Sequence, residues 1–153
     1  MKQRIYIDTS IVGGFFDKEF AEPTRALFAK LERQETIFVI SDLLIDELEN
    51  APENVRTLID NYSQEYFEST TLTEEAKELA NAYVAENVIG KTSLEDCQHI
   101  AMATINKVDI LASWNFKHIV NINRIRGYNS VNLKKGYATL EIRNPRELID
   151  YEN

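Results

Sequence analysis

Short apolar runs rich in β-branched and aromatic residues recur along the chain, and stretches of helical periodicity separate them. "RIYID" (4–8), "TIFVI" (36–40) and "VDILAS" (108–113) read as buried strands, and "EYFESTTL" (65–72) as a more exposed one. "SIVGGFFDKEF" turns back through Gly13 and Gly14 as a short helix. "PTRALFAKLERQ" (23–34) sets Leu27, Phe28 and Leu31 at helical spacing behind Pro23. Ser41 caps "DLLIDELENA", Pro52 restarts a helix in "PENVRTLIDNY", Thr73 caps "EEAKELANAYVAENVI" and Ser93 caps "LEDCQHIAMATINK". A polar helix is expected from about 116 to 127, then short β-like pieces in "SVNLKKGYATLEIRNPREL" and a last turn after Pro145. Strands joined by helices pair in parallel. The expectation is one α/β domain over 1–153, a three-layer α/β/α fold around a mainly parallel sheet of four to five strands.

Composition removes several chemistries. A single cysteine, Cys97, excludes an internal disulfide, and with two histidines it argues against a Cys/His zinc site. The sequence has no apolar run of signal-peptide or membrane-spanning length, so the expected setting is reducing and cytoplasmic. The net charge of −8 is uneven. Residues 1–100 carry 9 Lys/Arg against 20 Asp/Glu, whereas residues 101–153 carry 8 against 5. Lys107, Lys117, Arg124, Arg126, Lys134 and Lys135 therefore form either a basic surface or a solvated face.

Open parallel sheets place ligands beyond the carboxyl ends of their strands. Asp8, with Thr9 and Ser10 after it, ends the first strand and is open to two readings, a helix cap and a metal ligand or nucleophile. Glu47 lies three residues from Leu44, at the border of an apolar helix face, among other solvated acids. Asp96 fits a capping box with Ser93 and equally a ligand presented by a first helical turn. His99, one turn later, is either a carboxylate partner or a satisfied core residue; Cys97 and Met102 read as packing. Asn115, two residues past the strand at 108–113, is an oxygen ligand or the cap of "FKHIV". Trp114 is a base-stacking surface or core. Oxygen ligands drawn from four segments suit Mg²⁺ or Mn²⁺, the usual apparatus for hydrolysing phosphodiesters.

Through "YIDTSIVGGFFD", Glu47 in "ISDLLIDELENAP", "LEDCQHIAMATINKVDILASWNFKHI" and "GYNSVNLKKGY", the chain resembles the PIN-domain ribonucleases, particularly the VapC-like toxin group. The resemblance implies that Asp8, Glu47 and Asp96 gather around Mg²⁺ or Mn²⁺, with Asn115 of "SWN" at a fourth position where many relatives carry Asp. Thr9, Ser10 and Ser113 become supporting residues. Lys117, His118 and Arg124 become candidates for RNA phosphates. It further implies an endoribonuclease toxin with an antitoxin partner, acting as a homodimer. Asn115 removes one charge and keeps a second class open, a catalytically weak module that binds nucleic acid or protein. A metal-dependent phosphatase is a third, its haloacid-dehalogenase type weakened by Ser10 where such enzymes place a second Asp; the lack of a Gly-rich phosphate loop argues against a nucleotide-hydrolysing machine.

Overall fold

The computed structural model describes residues 2–149. Its elements alternate as the hydrophobic pattern predicts: β1 (Gln3–Ile7), α1 (Thr9–Gly14), α2 (Ala21–Glu32), β2 (Thr36–Ser41), α3 (Asp42–Leu48), α4 (Glu53–Arg56), β3 (Phe67–Thr70), α5 (Glu74–Ala85), α6 (Leu94–Ile105), β4 (Ile110–Ala112), α7 (Ile122–Lys134) and β5 (Ile142–Arg143). The five strands run parallel in the order β3-β2-β1-β4-β5. Every strand thus ends at the same edge, and β1 lies at the centre, with Tyr6 in register with Val39 and Leu111.

Alternation along β1 sorts the core into two layers. Ile5 and Ile7 join Phe38, Ile110 and Ala112 beneath α1, α2 and α3. Tyr6 points the other way, into a cluster that holds Val39, Leu111 and the buried faces of α5, α6 and α7. The three-layer parallel fold expected from the sequence is the one observed. Among the described residues no helix is long and apolar enough to cross a membrane.

Four local expectations are corrected. The helix after β4 spans Ile122–Lys134 instead of 116–127. Asn121, in an extended conformation, caps it by accepting from the amides of Asn123 and Arg124, so the chain before it is free to form a separate turn. "SVNLK" extends that helix instead of forming a β-like piece, because Tyr128, Val131 and Asn132 bury one face against α5. The Ser93 side chain makes no cap bond, so the predicted capping box is absent: Ser93 closes a 3₁₀ turn, and its hydroxyl lies 3.4 Å from His118 Nδ1. The boundaries of the third strand also contract from 65–72 to 67–70.

Candidate active site at the carboxyl edge of the sheet

Where β1 ends, Asp8 fills the first of the roles read from the sequence, the cap of α1. Its Oδ1 accepts from the Ile11 amide at 3.3 Å, the N-cap of α1, and from Ser10 Oγ at 2.6 Å. Its Oδ2 accepts from Ser113 Oγ, 2.5 Å away across the β1–β4 pair. The same hydroxyls receive the amides of the next loop, Trp114 N–H on Ser10 Oγ and Asn115 N–H on Ser113 Oγ. Asp8 is 4% exposed. Burial raises its pKa, against the opposing pull of His99, the two serine hydroxyls and the Ile11 amide.

Glu47 reaches the same edge from α3. Thr9 Oγ1 donates to its Oε1 at 2.8 Å, and His99 Nε2 lies 2.6 Å from that oxygen. A carboxylate accepts only, so Nε2 carries the hydrogen. Burial pushes the Glu47 pKa up, but the hydrogen bond and charge of His99, with help from Thr9 and Glu95, hold it below the ordinary value. Sequence reasoning missed Glu95, although its i, i+4 spacing to His99 puts both on one face of α6.

Asp96 is placed differently. Freed from any cap, its Oδ2 lies 3.0 Å from His118 Nδ1, and the His118 amide donates to Asn115 Oδ1. Asn115 therefore caps the turn at 116–119, as one of its readings held. Lys117 is exposed and Arg124 half-buried; both line a polar groove of about 710 Å³ with Asn121 and Asn123, and the Arg124 guanidinium also donates to the Val88 carbonyl. Trp114 belongs to the core: its indole N–H donates to Thr24 Oγ1, and its ring stacks on Phe20 at 4.2 Å. A Cβ on Gly14 would meet that indole at 2.7 Å, so only glycine lets α1 seat against it.

Asp8, Glu47, Thr9, Ser10 and Ser113 are thus gathered at one edge, while Asp96 and Asn115 form a neighbouring group through His118. Among the described residues no set of three or more His, Cys, Asp or Glu is drawn close enough to hold a metal ion by itself. The donor chemistry nonetheless fits a hard cation, because all the candidate ligands are oxygens. Mg²⁺ is usually held through one or two carboxylates and several waters, so three converging acids are not required.

The fold was compared with solved structures. VapC20 of Mycobacterium tuberculosis, described as a sarcin-ricin loop cleaving toxin, aligns with a TM-score of 0.58 over 90% of this chain and 98% of that one, at 11% identity. VapBC2 of Rickettsia felis, bound to a DNA fragment from its promoter, aligns with a TM-score of 0.57 over 93% and 98%, at 14% identity. The fold is that of a PIN domain. FitAcB of Neisseria gonorrhoeae gives a TM-score of 0.56 over 93% and 98%, at 15% identity. A scan against protein-family models and a search of curated proteins both give no match. At these identities the likeness concerns the PIN fold alone.

Proposed function

We propose that the chain is a divalent-metal-dependent endoribonuclease, the toxin of a toxin–antitoxin pair. The observation that carries this reading is Asp8: a nearly buried carboxylate at the central strand's carboxyl end, tied to Ser10 and Ser113 and flanked by Glu47. A buried carboxylate is costly, and its retention at a ligand-binding edge argues for use. Asp8 and Glu47 would hold Mg²⁺ or Mn²⁺, with Asp96 and Asn115 beside them. The ion supplies Lewis-acid activation of water and neutralises charge developing on the phosphodiester. Glu47, kept ionised by its donors, accepts a proton. Lys117 and Arg124 offer positive charge to RNA phosphates, and His118 a hydrogen bond. VapBC2 and FitAB were solved as DNA-bound complexes. By analogy we infer a protein antitoxin for this chain, and a homodimer as its own assembly.

The test is cleavage of total RNA by purified protein with Mg²⁺, with Mn²⁺ and with EDTA, beside Asp8→Asn. Cleavage that needs the ion and disappears in the variant supports the proposal. Equal nicking by both proteins sinks it. One observation favours a second reading, a weakly catalytic binding module: Asp96 and Asn115 are both engaged by His118, and among the described residues no three acids or histidines converge as a metal site. That module binds RNA or a protein partner with the affinity of wild type when Asp8 is replaced.

A further inference from the structure

The buried Tyr83–Asn132–Thr104 network and Cys97 are packed into the core. The residue that stands out is His99. It is 2% exposed, and both ring nitrogens are engaged, Nε2 with Glu47 Oε1 and Nδ1 with the Tyr6 hydroxyl, each at 2.6 Å. Its ring also meets Tyr6 edge-to-face, with centroids 5.7 Å apart. The Tyr6 hydroxyl lies 3.0 Å from Ser41 Oγ, which accepts the Leu44 amide as the N-cap of α3.

These contacts form a closed circuit. Glu47 stands near the last turn of α3, and Ser41 stands at its first. His99 of α6 and Tyr6 of β1 connect the two ends through the core. A chain of polar groups inside an apolar layer costs desolvation and returns little net stability. What it supplies is a single orientation for the carboxylate at its end.

We propose that His99 is a positioning residue for Glu47, and that the Tyr6–Ser41 pair fixes the imidazole in turn. The proposal rests on the reading of Glu47 as part of a divalent-cation site. His99 and Thr9 clamp Glu47 through one oxygen, from two separate elements, so the carboxylate is aimed before a ligand arrives. Loss of an outer partner of this kind costs roughly 10- to 100-fold in metal affinity.

The test is Mn²⁺ binding by calorimetry on the full chain without RNA, for wild type, Asp8→Asn, His99→Leu, His99→Gln and Tyr6→Phe, with thermal melts alongside. Gln extends an amide N–H toward the place of Nε2, whereas Leu fills the space without a donor. The expected result is tight binding by wild type, a drop of about tenfold or more in His99→Leu, substantial recovery in His99→Gln and an intermediate loss in Tyr6→Phe. A purely structural His99 predicts lowered melting temperatures with unchanged Mn²⁺ affinity, which overturns the proposal, as does equal loss in Leu and Gln. Should His99→Leu fail to fold, Tyr6→Phe decides, since it removes only a hydroxyl: wild-type affinity there overturns the proposal. If wild type and Asp8→Asn bind Mn²⁺ equally weakly, the metal reading itself falls. If Asp8→Asn alone loses binding while the His99 variants keep it, only the positioning role falls.

Discussion

The chain's two histidines each face one acid of the candidate site, yet the two pairs are built differently. In Glu47–His99 the imidazole side chain is 3% exposed and the carboxylate 27%. In Asp96–His118 the values are 29% and 26%. The first imidazole is held at both nitrogens by protein groups, inside a low-dielectric layer. The second shares one nitrogen between Asp96 and Ser93 on a surface turn, where water competes for it. One pair is therefore fixed by the fold, and the other is open to rearrangement by whatever binds at the edge. Asp8 completes the contrast: its side chain is held by hydroxyls and a backbone amide, and it carries the burial cost directly.

That contrast can be broken at each acid, starting with the largest effect. Asp8→Asn is expected to abolish metal-dependent cleavage while stabilising the protein at pH 7. Burial raises the folded pKa of Asp8 above its ordinary 3.8. The stability linked to the protonated acid is complete below that ordinary value and is lost as pH rises through the folded one. Denaturant titrations should show the advantage of the variant at pH 7 shrinking as the pH falls toward about 4. No gain at pH 7 would mean that the carboxylate is well solvated after all.

His99→Ala should cost about 3 kcal/mol in urea unfolding, because it opens a cavity and leaves the Tyr6 hydroxyl and Glu47 short of partners. Tyr6→Phe, with the ring kept, should cost about 1 kcal/mol. His118→Ala should cost under about 1 kcal/mol, as expected of a solvent-facing pair. Equal losses at the two histidines would erase the distinction between the closed and the open pair.

The layer architecture was legible because β-branched runs and helical spacing agree at every core strand. The candidate acids were legible because parallel sheets collect function at strand ends. What stayed hidden were side-chain pairings that span the chain: nothing local in "YID" tells Tyr6 to meet His99, 93 residues away, or Asp8 to meet Ser113. Ser93 misled for a related reason. "SLED" satisfies a capping pattern, but a preceding 3₁₀ turn places Ser93 outside cap geometry, which releases Asp96 to His118. Trp114 read as core more readily than as a stacking surface, and it is core; the contact that fixes it, with Gly14, lies in another element.

The β1–β4 pairing brings Tyr6 beside Leu111 and sets Ser113 against Asp8. As the chain leaves the ribosome, the first hundred residues emerge without the strand that walls the central acid on one side. Pairings this distant in sequence form late and slowly. A nascent chain therefore carries Asp8 for most of its synthesis without its Ser113 partner, and whatever chemistry this edge performs switches on only when the last third of the polypeptide docks.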